Sequence, residues 1–389
     1  MLMISKIKNM VSRLVPKGKA NPTPETKIPL CVFSGTTLQG KLPITIAYAG
    51  NDKLRQTQWA ALIMEKYTSR QIESCSSGLL VKHLRKNAPD CSLVLIEKQV
   101  ADEDLLRPKS SLLLPYFMQT CIDTSQTIEV KKKESRTGFK NAARLISKFG
   151  LTYQMTNTLE NQYDFYNNMY LPYLKDRHGT GFQQVQFDGV FSPFVPFELM
   201  SIMQGGKRVA GGVLHFKNGK VHFGFLGVRD GVFHQVKNGA LAAAYYFLCD
   251  EMNKRGVGKL YLGGSPPFID NPLTRYKIRM TAQLDHNYQY QDRELVCCVP
   301  LKYSAGMQDF LTASPIISVN GNKNHTGHFF LNKNSFDTID GLKKEISLFA
   351  RIGLSNNYFY QLNNRNVPES WIKLLLEHGF VEGSLKIGF

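Results

Sequence analysis

The chain has 389 residues, enough for two or three domains, and 43% of them are hydrophobic and 11% aromatic. That composition excludes an intrinsically disordered chain, and no apolar run approaches the roughly 20 residues a membrane-crossing helix needs. A formal net charge of +17 points to an anionic partner, whether nucleic acid, a CoA-type phosphate or an acidic membrane surface, or else to a basic soluble protein that has none.

Residues 1–20 place Ile4, Ile7, Val11 and Leu14 at helical spacing among five lysines and arginines, with no acid. Pro16 ends that pattern. The continuous apolar core of a secretory signal is missing. A basic amphipathic helix of this kind either lies on an anionic membrane surface through residues 1–15 or is a frayed tail. With its linker it forms a segment over 1–27. Short strands then alternate with helices: Pro43 to Tyr48, Cys91 to Glu97 and Leu112 to Phe117 read as strands, and Leu54 to Tyr67 as a helix. This predicts a first α/β lobe over 28–128.

In residues 129–150 the basic positions Arg136, Lys140, Arg144 and Lys148 recur every fourth residue. Phe139, Ala142, Ala143, Ile146 and Phe149 supply an apolar face, so one amphipathic helix with a basic stripe is expected. The stripe is either a solvated face or a phosphate contact. Leu159 to Arg177 reads as a helix capped by Thr158 and kinked or split by Pro172. Its aromatic face is either core or the wall of a substrate groove. Phe197 to Gln204 is expected to be a short helix.

Val209 to Phe216 and Val221 to Val228 are strands, joined at Asn218-Gly219 by the turn chemistry of a type I′ hairpin. Asn238 stands where a helix N-cap belongs, and Leu241 to Leu248 predicts a buried helix. Lys254-Arg255-Gly256 ends that helix, and Lys259 to Leu262 is a further strand. The order is therefore strand, turn, strand, loop, buried helix, strand. A helix N-terminus beside a strand end favours an anion. From Lys302 onward the strands and helices repeat as a small α/β domain over 301–389, of unassigned role.

Seven cysteines, at 31, 75, 91, 121, 249, 297 and 298, include no CxxC. They read as reduced and buried in a cytosolic protein. His325 and His328 have no carboxylate or cysteine beside them, so no metal is expected.

The element order around 205–264 resembles the core of the GNAT acyltransferases. In that family a pyrophosphate-binding loop would match Gln235-Val236-Lys237-Asn238-Gly239-Ala240. Gln235 and Ala240 fit the pattern, and Asn238 replaces its first glycine. Ser135 followed by a basic helix and Gly150-Leu151-Thr152-Tyr153 resembles the opening of the second lobe in FemAB-like and BioF2-like (exopolysaccharide-type) members, and Tyr276-Lys277 resembles an aromatic-lysine pair in them. The resemblance covers about 130–300. It implies a GNAT-like mixed sheet flanked by helices over 129–300, a degenerate copy over 28–128, and the small C-terminal domain beyond.

The family implies acyl or aminoacyl transfer to an amine acceptor. The donor would be acyl-CoA, an acyl carrier protein or a charged tRNA. Gln235, Lys237, Asn238, Gly239 and Ala240 would hold a CoA-type co-substrate. Lys277 would face the transfer cleft, and His234, His222 and Tyr245 are the candidates for the proton. No Ser-His-Asp or Cys-His set supports a covalent hydrolase. Three functions stay open: an N-acyltransferase using acyl-CoA, an aminoacyl-tRNA-dependent peptidyl transferase, and a non-catalytic binding protein. The expected location is cytoplasmic, with peripheral attachment at the inner face of the membrane. A side chain at Gly239 is expected to block CoA at little cost in stability.

Overall fold

The computed structural model describes residues 27–101, 111–135, 137–178, 184–320, 324–332, 338–354, 356–362 and 367–383. The basic segment expected over residues 1–20 and Arg136 of the basic stripe lie outside them. The first sheet draws on β1 (Ile28–Thr37), β2 (Pro43–Ala49), β3 (Met64–Cys75), β4 (Leu93–Glu97) and β5 (Leu112–Pro115), with α1 (Lys53–Ile63) and α2 (Leu80–Asn87) packed on it. Asp52 caps α1 by accepting the Arg55 amide at 3.0 Å, and α1 drives Trp59, Ala60 and Ile63 into the core. The helix expected to run to Tyr67 stops at Ile63. Met64 to Cys75 instead pairs antiparallel with β1, from Leu30↔Ile72 to Thr36↔Lys66. Tyr67, Thr68 and Ile72 suit a strand, and β1 would otherwise present an unpaired edge.

The second sheet contains β6 (Met118–Asp123), β7 (Leu151–Thr156), β8 (Phe197–Gln204), β9 (Lys207–Lys217), β10 (Lys220–Val228), β11 (Lys259–Ser265) and β12 (Gln283–Leu284). Its order is β12-β6-β11-β10-β9-β8-β7. Asn218 and Gly219 take φ of 52° and 70°, the two left-handed residues that a type I′ turn requires. Phe197 to Gln204 is a strand and not the short helix expected. Its short, mostly apolar sequence fits either element in isolation, and pairing to β7 and β9 on both sides decides for the strand.

Residues 129–150 form two helices, α3 (Ile128–Glu134) and α4 (Gly138–Phe149). Ser135 makes the break: its hydroxyl oxygen accepts the amides of Gly138 and Phe139 at 2.8 and 2.9 Å and its O–H donates to the Arg279 carbonyl at 2.9 Å. Gly150 closes α4 with φ 58°. The helix expected over 159–177 is α5 (Leu159–Phe165), a π turn over Tyr166–Tyr170, and α6 (Leu171–His178). Pro172 cannot donate to the helix ladder, and the wide turn absorbs that loss just before it. After α7 (Phe187–Val190), the remaining helices of this half are α8 (Phe233–Lys237), α9 (Ala240–Lys254) and α10 (Pro272–Arg279).

The two sheets interlock. A strand from after the second sheet, β13 (Leu295–Pro300), completes the first, whose order is β3-β1-β2-β4-β13-β5. In return β6, from before α3, pairs with β11 in the second. Each sheet thus holds one parallel pair, β2 with β4 and β10 with β11, flanked on its far side by an antiparallel strand from the other half.

The third sheet is β14 (Ile316–Val319), β15 (His325–Leu331), β16 (Asn356–Gln361) and β17 (Val381–Glu382). Helix α11 (Ala305–Ala313) shares a core with it and with the first sheet, and α12 (Ile339–Ile352) and α13 (Glu369–Glu377) pack on it. Helix α12 buries Leu342, Ile346, Phe349 and Ile352 at helical spacing. Three mixed sheets flanked by helices make the chain α/β, as the sequence predicts. The site described below rests on α9. Ala240, Ala243 and Ala244 are fully buried in it, and their small side chains let it lie close on the sheet. Leu248 and Met252 fill the space behind them, each worth about 1.5–3 kcal/mol of burial.

Candidate active site

Strands β10 and β11 run parallel, but only Val221, His222 and Phe223 pair, with Leu260, Tyr261 and Leu262. Beyond those three residues both strands depart from regular pairing. On β10 the register with β9 shifts between Gly224 and Gly227, and Phe225 takes φ 49°, which a non-glycine residue adopts rarely. On β11 the register with β6 shifts between Leu262 and Ser265. The parallel pair therefore parts at one level, and bulges of this kind release backbone groups from the ladder. The chain connecting the two strands passes through α8 and then α9.

Lys277 of α10 reaches this parting. It is 3% exposed, and its ammonium donates to the carbonyls of Gly263 and Gly264 at the end of β11. No carboxylate accompanies it in those bonds. Burial lowers its pKa from the ordinary 10.5 to about 7, because an ammonium loses its hydration there. The lysine is thus a buried one at the end of a strand, and its charge changes near neutral pH. Ser265, next to Gly264 on β11, and Thr120, which pairs with Leu262 from β6, have buried hydroxyls without partners.

Tyr245 of α9 packs edge-on against Phe223, at 5.4 Å between centroids, and against Tyr276, at 5.5 Å. Burial raises both phenols far above their ordinary value. They stay protonated at neutral pH, so each can donate a hydrogen bond but neither can take a proton. The Tyr276 hydroxyl is buried and unpartnered. Sequence reasoning singled out Tyr276 only as the neighbour of Lys277. The signal available was the residue pair itself, since positions one apart on a helix point to different faces.

The loop residues sit apart from that cluster. His234 is exposed on α8, Lys237 lies over the Phe233 ring at 5.2 Å, and the Gln235 side-chain oxygen is buried without a partner. Asn238 is not the N-cap of α9; its amide instead bonds back to His234 O at 2.8 Å. Gly239 is the cap, with φ 92°, because the chain must reverse between α8 and α9. A Cβ there would lie 2.7 Å from Leu145 Cβ and Cδ1 of α4. The expectation that a side chain at Gly239 costs little stability is therefore corrected: close packing and a left-handed backbone both oppose it. The amides of Ala240, Leu241 and Ala242 head α9, where no intrahelical acceptor reaches them.

His222 stacks on Tyr261 at 5.2 Å and burial lowers its pKa. The start of the crossover is braced by Arg229, which holds Asp164 of α5 through two bonds of 3.0 and 2.7 Å. That pairing keeps the Asp164 carboxyl at about 2.

Of the basic stripe, Lys140 and Arg144 line a cleft of about 1090 Å³ that also touches α9 at Ala242 and α10 at Tyr276. Among the described residues no group of three or more histidines, cysteines or acids could hold a metal ion, and none of their helices is long and apolar enough to cross a membrane. All seven cysteines are buried and none is in a disulfide.

No protein-family model matches the chain, and no curated protein matches it. Among solved structures it is similar to FemX, with TM-score 0.36 and 11% identity over 66% of this chain and 81% of that one. It is similar to L-PGS from Bacillus licheniformis, with TM-score 0.31 and 11% identity over 60% and 77%. A GCN5-related N-acetyltransferase from Sphaerobacter thermophilus gives TM-score 0.32 and 10% identity over 65% and 71%.

Proposed function

We propose that the chain is a GNAT-like N-acyltransferase that moves an acyl or aminoacyl group from a CoA-type donor to an amine. One observation carries the reading: the parallel pair β10 and β11 parts after three residues, at bulges on both strands, where the buried helix of the crossover packs through Tyr245 against Phe223, the last paired residue of β10. A donor carbonyl placed in that gap meets backbone N–H groups released from the ladder, which stabilise the negative charge that develops on its oxygen. The free amides of Ala240 to Ala242 suit the donor's pyrophosphate.

The chemistry needs little else. The amine nitrogen bonds to the carbonyl carbon and the carbon–sulfur bond breaks. The departing thiolate takes up the proton that the amine loses, directly or through water. Lys277 anchors the carbonyls at the end of β11, and its charge near the gap favours the oxyanion. Tyr245 and Tyr276 remain protonated and position groups by donation.

A second reading, in which the donor is an aminoacyl-tRNA, is favoured by the cleft beside Tyr276 with Lys140 and Arg144 on its wall. Calorimetric titration of the full chain with CoA and with charged tRNA separates the two. Binding of CoA with product formed from an amine supports the first, and binding of tRNA alone supports the second. Binding of neither refutes both and leaves a non-catalytic binding protein. In either enzyme, Lys277→Ala is expected to lower turnover more than donor affinity.

A further inference from the structure

The cleft of about 1090 Å³ has three walls, and one of them comes from outside the two interlocked sheets. Helix α4 contributes Lys140 and Arg144, and helix α10 contributes Arg275 and Arg279. Helix α12, which packs on the third sheet, contributes Lys343, Lys344 and Arg351. Among the described residues no aspartate or glutamate lines the cleft. Arg275 is already bound to Asp270 and, at 2.8 Å, to Glu345, and that second bond ties α10 to α12. Lys343 has Asp340 on its own helix at 3.6 Å.

The other five cations, Lys140, Arg144, Arg279, Lys344 and Arg351, are exposed to the cleft. On each wall they share a face: Lys140 and Arg144 are four residues apart, Lys344 and Arg351 seven. The walls thus carry charge at several levels, about 6 Å apart on α4 and about 10 Å apart on α12. A single phosphate reaches one level only. Ala242, Met280 and Leu348 give the cleft an apolar part, and Tyr276, whose hydroxyl is buried and unpartnered, also lines it. The charge comes from side chains and not from the head of α4, because Ser135 already occupies the Gly138 and Phe139 amides.

We infer that this cleft binds a ligand carrying two or more phosphate groups, and that the C-terminal region, through α12, builds one wall of the site. Like charges facing one another without an acid are stabilised by a polyanion between them. The inference stands on the cleft alone, so the transfer reaction can fail without affecting it.

The test uses the full chain and inorganic tripolyphosphate, with orthophosphate as the comparison, followed by calorimetry. Tripolyphosphate is expected to bind at least tenfold more tightly. Lys344→Glu with Arg351→Glu, both exposed, should weaken it tenfold or more while the melting temperature stays unchanged. Lys82→Glu with Lys86→Glu on α2 makes the same change in net charge far from the cleft and should leave binding intact. Equal weakening by both pairs, or no preference for tripolyphosphate, overturns the inference. Two further probes identify the source of the phosphates. Tight binding of adenosine 3′,5′-bisphosphate supports the site as a nucleotide site. Tighter binding of a short RNA, falling steeply with salt, supports it as a strand site. Turnover measured on the same Lys344→Glu, Arg351→Glu protein keeps the two proposals apart: lost binding with normal transfer upholds the cleft and places it outside the reaction.

Discussion

Lys277 offers the sharpest test of the site. Its pKa falls from 10.5 to about 7 on burial, which corresponds to about 5 kcal/mol at about 1.4 kcal/mol per pH unit. The sign follows from proton counts. Below pH 7 the lysine is protonated in both states, and stability does not change with pH on its account. Between pH 7 and 10.5 the unfolded chain keeps a proton that the folded chain has lost, so stability rises with pH. Over pH 7 to 9 the gain attributable to Lys277 is about 2 kcal/mol. The measurement is urea denaturation of the wild type and of Lys277→Met at several pH values in that window. The variant also strands the carbonyls of Gly263 and Gly264, at about 1–3 kcal/mol each, so the slope against pH is the readout and not the absolute stability. Wild type should gain about 2 kcal/mol relative to the variant from pH 7 to 9. Parallel curves for the two proteins would refute a buried, uncompensated ammonium.

Gly239→Ala should cost about 2–4 kcal/mol, from the left-handed backbone and the overlap with Leu145. Adding Leu145→Ala should recover about 1 kcal/mol of coupling in a double-mutant cycle, and strict additivity would argue against that contact. Asp164→Asn removes the paired bonds to Arg229 and should cost about 2 kcal/mol at pH 7. Because the folded carboxyl is held at about 2, that difference should be full above about pH 4 and close as pH falls toward 2. An unchanged gap in acid would show that the pairing does not set it. Tyr276→Phe removes a buried hydroxyl that has no partner, so denaturation should show no loss, or a slight gain, in stability. Turnover should nevertheless fall if the phenol donates to substrate, and a loss of stability above about 1 kcal/mol would mean that the hydroxyl is already bonded in the free protein.

Much of the fold was legible where the signal is local. Asn218-Gly219 declares its turn because few residues accept left-handed angles in succession, and Gly150 marks the end of α4 for the same reason. Pro172 announces an interruption because it lacks an amide hydrogen. The inward face of α4 follows from spacing alone. Of the site, the aromatic-lysine pair at Tyr276-Lys277 and the basic residues at Lys140 and Arg144 were visible as residue types at a given spacing.

What the tertiary structure alone decided has a common cause: it depends on partners distant in sequence. Phe197 to Gln204 is a strand because β7 and β9 flank it, and Met64 to Cys75 is a strand because β1 has an edge to cover. The exchange of β6 and β13 between the sheets has no local mark, since nothing in either strand's own residues says which sheet it will join. Gly239 carries no sign that Leu145, far back in α4, will stand 2.7 Å from its missing Cβ. The lysine at 277 is an ordinary cation in sequence. Only burial against two backbone carbonyls, with no carboxylate bonded to it, brings its pKa to about 7, because desolvation is a property of everything packed around a charge and not of the residue that bears it.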